Sequence, residues 1–422
     1  MSFETVSVIG LGYIGLPTAA MFASKRKKVI GVDVNKKAVD IINRGEIHIV
    51  EPELDILVHA SVTEGYFRAS TTAEPADAFL IAVPTPFKAG SSVIPEPDLG
   101  YIEAAAKSIA PVLEKGNLVV LESTSPVGAT EQLAAWLAQM RPELTFPQSV
   151  GSEADIKIAY CPERVLPGHV VRELVENDRV IGGMSPECSA AAIKLYKTFV
   201  EGECIITDSR TAEMAKLTEN SSRDVQIAFA NELSLICDEI NVDVWELIKL
   251  ANRHPRVNIL QPGPGVGGHC IAVDPWFIIS KSPDSAKLIH TARKVNDSKP
   301  LWVVDKVNQA VGEFLQSRPE RTAKSVTIGC YGLAFKPDID DLRESPAMQI
   351  VQEVRDVHAG KILVVEPNIE SVPTQLGEVE LVDLEDALST CDIHLLLVDH
   401  KEFKSTEIDK SKLVIDTKGI WL

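Results

Sequence analysis

Short runs dominated by apolar residues alternate with helix-like stretches through the first half of the chain, at Val6 to Ile9, Val29 to Val32, Phe79 to Val83, Val119 to Leu121 and Ile158 to Tyr160. Such runs read as strands buried on both faces, and their alternation with helical segments predicts a parallel, doubly wound sheet. From Thr211 to Leu250 the period changes. Met214, Leu217, Val225, Ile227, Ala228, Leu233 and Ile236 recur at helical spacing with no glycine or proline between them, which predicts a long central helix followed by a shorter one. A loop dense in proline and glycine, Pro255 to Gly268, interrupts before another helical stretch from Ser285 to Phe314, and a charged joint lies at Ser317 to Lys324.

After the joint the early pattern returns. Val326 to Tyr331 with Gly332 resembles Val6 to Gly10 with Gly12, and Ile362 to Glu366 resembles Val29 to Asp33. Cys391 to Asp399 resembles Ala76 to Thr85, and Leu413 to Gly419 resembles Val119 to Pro126. The repeat is one of element order over about a hundred residues rather than of identity. The expected fold class is α/β, with two Rossmann-like doubly wound domains joined by a long central helix. The expected boundaries are 1–210, 211–316 and 317–422.

Composition narrows the functional classes. The 422 residues, 45% of them hydrophobic and 24% charged, suit an ordinary globular protein and exclude a disordered or stapled scaffold. A net charge of −18 with no basic block excludes a nucleic-acid or anionic-membrane surface, so any anionic ligand must be held by local groups. Cys161, Cys188, Cys204, Cys237, Cys270, Cys330 and Cys391 show no close pairing, which points to a reducing compartment and away from a metal site. Met1 to Val8 carries no secretory pattern, and runs such as His394 to Val398 are too short to cross a bilayer. A cytoplasmic protein without a membrane partner is expected.

The strongest local motif is Gly10-Leu11-Gly12-Tyr13-Ile14-Gly15, directly after the first strand run. Its glycines suit a tight turn, close approach of a pyrophosphate and packing of helix on strand, while the helix start offers free N–H groups. Asp33 ends the second strand run at the distance expected of an acid on the ribose hydroxyls. A carboxylate there favours NAD over NADP, although Lys36 and Lys37 leave the phosphorylated form open. Thr85 and Thr124 follow later strand runs, where hydroxyls meet either a cofactor or only their own turns. Cys270 follows a glycine loop, with Asp274 four residues on; spacing alone leaves a nucleophile and a buried thiol equally open. Lys216 and Asn220 share a helix face with Arg223 one turn on, either as a donor cluster or as a solvated surface.

These segments follow one another in an order that resembles the UDP-glucose/GDP-mannose dehydrogenase family over essentially the whole chain. The resemblance rests on the glycine motif with Asp33, Cys161-Pro162-Glu163-Arg164, Lys216 with Asn220, Gly267-Gly268-His269-Cys270 through Asp274, and Phe335-Lys336-Pro337-Asp338 through Asp341-Leu342-Arg343-Glu344-Ser345. The runs Ile47 to Pro52, Ala251 to Leu260 and Gly265 to Pro275 are similar to the branch acting on UDP-N-acetyl-D-mannosamine for bacterial surface polysaccharides. The UDP-glucose branch usually has a small hydroxyl residue and a Lys where this chain has His269 and Val273, and Asn-Pro-Glu-Phe where it has Cys161 to Arg164.

The resemblance implies oxidation of a sugar C6 alcohol to a carboxylate with two NAD per turnover, through a thiohemiacetal and thioester on Cys270. Lys216 and Asn220 would act on the C6 oxygen, and Glu163 or the Asp274 neighbourhood on water. Arg164, Val165, Arg223, His254, Arg256 and Gly267 would grip the UDP-sugar, Arg256 from a neighbouring subunit of a homodimer. Phe335 and Lys336 would meet the same substrate, and Tyr13, Ile14, Thr130 and Arg343 the cofactor, with no metal. Two alternatives stand beside this reading: a dehydrogenase for UDP-N-acetylglucosamine or UDP-glucose, and a non-catalytic dinucleotide sensor, which would have no use for Cys270.

Overall fold

The computed structural model describes residues 3–49, 51–90, 94–166, 168–268, 270–409 and 411–421. The chain forms two compact units, 1–219 with 276–282 and 220–275 with 283–422.

The first unit is built on eight strands: β1 (Thr5–Ile9), β2 (Lys28–Val32), β3 (Phe67–Ser70), β4 (Ala78–Ile81), β5 (Leu118–Leu121), β6 (Lys157–Tyr160), β7 (Arg179–Gly183) and β8 (Cys204–Asp208). They lie in the order β3-β2-β1-β4-β5-β6-β7-β8. Val6 on β1 is paired with Val29 and Ala78 on its two neighbours. Along β4 and β5 alternate residues enter two different cores: Ala78, Leu80, Leu118 and Val120 one, Phe79, Ile81, Val119 and Leu121 the other. Both faces are therefore covered, which is why these runs read as continuously apolar. The pairing departs from the expected parallel sheet at one place, where β7 runs antiparallel to β6.

The second unit repeats the plan with β9 (Ile328–Tyr331), β10 (Ile362–Val365), β11 (Glu380–Leu381), β12 (Ile393–Leu396) and β13 (Leu413–Asp416), in the order β11-β10-β9-β12-β13 and parallel throughout. Val303, Val304, Val307, Ala310 and Phe314 of the helix Lys287–Ser317 enter one of its cores.

The long central helix is Ser209–Glu239, and the shorter one that follows is Val244–Ala251, capped by Asp243. Beyond residue 220 buried polar pairs join the central helix to the Lys287–Ser317 helix. Arg293 Nη1 donates to Asp224 Oδ1 at 2.6 Å, Asn231 Nδ2 to Asn296 Oδ1 at 2.9 Å, and Lys299 Nζ to Ser234 Oγ at 2.6 Å. Such pairs cost desolvation but fix register, because sliding either helix leaves a buried charge unpaired. Asn231 Oδ1 also accepts from Gly263 N at 2.9 Å, anchoring the glycine loop to this register. No helix of the described residues is long and apolar enough to cross a membrane.

Candidate active site

In the first unit the glycine motif forms the turn from β1 into the helix Gly15–Ser24. Gly10 takes φ +92°, its N–H donates to Val32 O at 2.8 Å, and a Cβ on Gly15 would lie 1.8 Å from Gly10 O. At Gly12 a Cβ would meet nothing within 4 Å, so this glycine leaves open space instead of relieving a clash. The helix starts at half-buried Ile14 without a side-chain cap, and Tyr13 beside it is exposed. Uncapped amides and a clear approach fit a pyrophosphate. Asp33 accepts from Leu11 N at 2.9 Å and Asn35 N at 2.8 Å, so it braces the turn while staying half-exposed. Val34, wholly exposed beside it, is an apolar surface that sequence reasoning passed over. Together these residues fit a dinucleotide.

The hydroxyl residues divide. Thr85 Oγ1 donates to Thr124 O at 2.6 Å, joining the loops after β4 and β5, and both residues are half-buried. Thr130 is fully buried, and its N–H and Oγ1 both donate to Glu213 Oε1, at 2.8 and 2.7 Å. Glu213 Oε2 takes Gly128 N at 2.6 Å as well. Glu213 therefore caps the start of the helix Ala129–Met140 and holds Thr130 on that cap.

Glu163 is buried; its Oε2 accepts from Arg179 Nη1 at 2.6 Å and its Oε1 from Arg164 N at 2.7 Å. Arg179, 3% exposed, is a partner the sequence did not single out. Arg164 donates to Glu219 Oε1 at 2.6 Å and to Asp178 O at 2.7 Å, and half-buried Val165 lies against the core. Lys216 is buried one turn before Asn220 on the central helix. Behind the loop after β5, Glu122 is buried with Tyr196 OH donating to Oε1 at 2.6 Å, and its Oε2 has no hydrogen-bond partner among the described residues. Burial, against the opposing hydrogen bond from Tyr196 and the charge of Arg179, pushes this carboxyl up to about 7.

In the second unit the described residues place Cys270 exposed, at the head of a turn that runs into the helix Asp274–Lys281. Its carbonyl accepts from Val273 N at 3.1 Å and Asp274 N at 2.9 Å. Exposure resolves the choice left open by spacing: this thiol is not core filler. His269 lies outside the described residues. Asp274 is 2% exposed and accepts from Asn220 Nδ2 at 2.5 Å, which ties the central helix to the turn that carries Cys270.

Two further loops belong to this unit. Asn252 closes a loop by donating to Ile259 O at 2.9 Å and accepting from Ile259 N at 2.7 Å, so that Arg253, His254 and Arg256 are presented outward. Phe335, half-buried, is so close to the glycine loop that a Cβ on Gly268 would lie 3.0 Å from its ring, and one on Gly267 would lie 2.4 Å from Glu344 O. Lys336 is exposed; Arg343 is engaged by Asp341, with Nη2 to Oδ2 at 2.6 Å. Arg223 is exposed on the central helix, whereas Glu219 and Asp224 are taken by arginines.

Comparison with known proteins covers nearly the whole chain. The NAD binding, central and UDP binding domains of the UDP-glucose/GDP-mannose dehydrogenase family match residues 4–200, 210–298 and 329–422. UDP-N-acetyl-D-mannosamine dehydrogenase of Yersinia pestis is 66% identical over 424 residues, covering all of both chains. NDP-N-acetyl-D-galactosaminuronic acid dehydrogenase of Ralstonia solanacearum is 63% identical, covering 100% of this chain and 97% of its own. The solved UDP-D-ManNAc dehydrogenase of Pyrococcus horikoshii superposes with a TM-score of 0.86 at 36% identity, covering 99% of this chain and 96% of that one. With three domains in order and relatives of this similarity along its full length, the chain belongs to the UDP-glucose/GDP-mannose dehydrogenase family.

Proposed function

We propose that the protein oxidises the C6 hydroxyl of UDP-N-acetyl-D-mannosamine to the carboxylate, giving UDP-N-acetyl-D-mannosaminuronic acid for surface polysaccharide synthesis. The observation that carries the chemistry is an exposed Cys270 whose turn leads into buried Asp274, with Asn220 fixed on that carboxylate. The name of the 66% identical relative supports the sugar.

NAD held by Gly10, Gly12, Gly15 and Asp33 supplies the acceptor for two hydrides. Lys216 stabilises the oxyanion that develops at the C6 oxygen, and Asn220 orients that oxygen or a water. Cys270, as thiolate, bonds to C6 of the aldehyde, and loss of the second hydride leaves a thioester that water cleaves to acid and thiol. For that water the Asp274 side is favoured over Glu163. Asp274 adjoins Asn220 and stands four residues from Cys270, whereas Glu163 is occupied in a buried ion pair. Arg164, Arg223, His254, Arg256 and Lys336 supply the cationic and hydrogen-bonding groups that a diphosphate and sugar require in so acidic a protein.

A second copy is proposed to cover the central helix, where Phe229 and Ile236, with Ile240 just past its end, leave apolar side chains exposed. Seven cysteines with no disulfide among them suit the reducing cytoplasm. The name of the 63% identical relative keeps an epimeric 2-acetamido sugar as the second reading. Purified protein should form two NADH per UDP-N-acetyl-D-mannosamine consumed, with little from UDP-N-acetylglucosamine, UDP-N-acetylgalactosamine or UDP-glucose. The same ratio on another sugar would overturn the substrate, and no turnover on any would favour the dinucleotide sensor.

A further inference from the structure

The two Rossmann-like sheets share a construction detail that ends differently in each. Gly10 (φ +92°) donates its N–H to Val32 O at 2.8 Å, and Gly332 (φ +94°) donates to Val365 O at 2.8 Å. In each case the acid just past the strand then accepts from the amide after the glycine, Asp33 from Leu11 N and Glu366 from Leu333 N. Asp33 is half-exposed, as an acid offered to a ribose must be. Glu366 is 4% exposed and fully subscribed. Its Oε2 accepts from Leu333 N at 2.7 Å, Ala334 N at 3.1 Å and His400 Nε2 at 3.0 Å, and its Oε1 accepts from Asn368 N and Nδ2, both at 3.1 Å. Burial works against ionisation, but His400 and the backbone amides together hold the carboxyl down at about 2.

His400 is fully buried, and its tautomer follows from its neighbours. Nδ1 accepts from Asp338 N at 2.9 Å, so the ring proton sits on Nε2 and points at Glu366. Asp338 itself takes a left-handed φ of +61°, and its Oδ1 accepts from Lys401 N at 3.0 Å. The segment 333–338 is thus held at both ends by one buried acid–histidine pair. Midway along it Phe335 abuts Gly267 and Gly268, a short way before Cys270.

We infer that Glu366 and His400 are positioning residues: the acid that would bind a ribose has been turned inward, and through His400 it sets the loop that carries Phe335 and Lys336 against the nucleophile's glycine loop. This rests on the proposed role of those two residues in meeting a UDP-sugar. The pair touches no substrate. It fixes the place where substrate is met, at the expense of a second dinucleotide site.

Nδ1 also meets Asn368 Nδ2 at 3.2 Å, and three full-length variants separate the Nδ1 side of the ring from the Nε2 side. His400→Leu removes both, His400→Gln reaches Glu366 but offers Asp338 no acceptor, and His400→Asn keeps an acceptor where Nδ1 was. Loss of the Asp338 anchor should raise the Kd for UDP and the KM for UDP-N-acetyl-D-mannosamine about tenfold in the Leu and Gln variants. The KM for NAD should stay within about twofold, and the Asn variant should recover most of the loss. If His400→Leu does not fold, the Gln and Asn pair carries the comparison. Equal UDP affinity in Gln, Asn and wild type would overturn the inference, as would a parallel rise in the KM for NAD. Wild type that binds no UDP would instead overturn the functional reading on which it rests.

Discussion

Asn220 donates its side-chain amide to Asp274 Oδ2 at 2.5 Å, and a carboxylate accepts but does not donate, so this bond fixes which end of the amide faces outward. With Nδ2 committed, Oδ1 is the atom left to accept a hydrogen from a sugar hydroxyl or a water. Asp274→Ala should release the amide to rotate and lower kcat by about a hundredfold. Asp274→Asn, whose own oxygen still accepts, should restore Asn220's orientation but not the charge, and fall between. Steady-state kinetics on both variants decide the point; equal kcat for Ala and wild type would remove Asp274 from the chemistry.

Exposure makes Cys270 distinct among the seven thiols: Cys204 is half-buried and the other five are buried. A stoichiometric amount of iodoacetamide should alkylate this residue first, read by peptide mass spectrometry, and a bound UDP-sugar should slow the reaction. Cys270→Ser should abolish steady-state acid formation. Label found mainly on Cys204, or undiminished turnover by the serine variant, would sink the covalent route.

The glycine motif offers a contrast that separates folding from binding. A methyl on Gly15 would sit 1.8 Å from Gly10 O, so Gly15→Ala should cost at least about 2 kcal/mol of stability. A methyl on Gly12 meets nothing within 4 Å, so Gly12→Ala should unfold at the wild-type temperature while raising the KM for NAD at least about tenfold. Thermal unfolding and NAD kinetics on both variants test this. An unchanged KM in Gly12→Ala would mean that the open space is not the pyrophosphate's.

What the sequence made legible follows from which signals are local. β1, β2, β4, β5 and β6 are apolar on both faces and stand out; β7 and β8, with Arg179, Gly182, Gly183, Thr207 and Asp208 among their residues, do not, and the antiparallel step was missed with them. The repeat after the joint is legible from the order of its elements and from Glu366 in the place of Asp33, but the sequence sets Gly332 against Gly12, whereas its φ and its bond to Val365 O put it in the place of Gly10. The central helix was visible from its period, but the fate of its polar residues was not. Glu213 and Asp224 look alike in sequence, yet one caps a helix 83 residues away and the other pairs with an arginine 69 residues on. Long-range partners decide these roles, and no spacing rule reaches them.

Glu122 allows a test of the buried cluster at the end of β5. It faces Tyr196, Arg179 and Glu163, and burial raises its carboxyl from an ordinary 4.5 to about 7. A raised carboxyl means that the folded state holds its proton more tightly than the unfolded state across that interval, so stability is full below about pH 4.5 and is lost as pH rises through about 7. The integrated loss from this group is at most about 3 kcal/mol. Glu122→Gln keeps an acceptor for Tyr196 OH and cannot ionise, so its advantage over wild type should grow from pH 5 to pH 8. Urea unfolding at several pH values measures that difference directly. A Gln variant whose stability tracks wild type in parallel over the whole range would mean that Glu122 ionises as readily in the fold as outside it, and that the buried Arg179 charge offsets its desolvation in full.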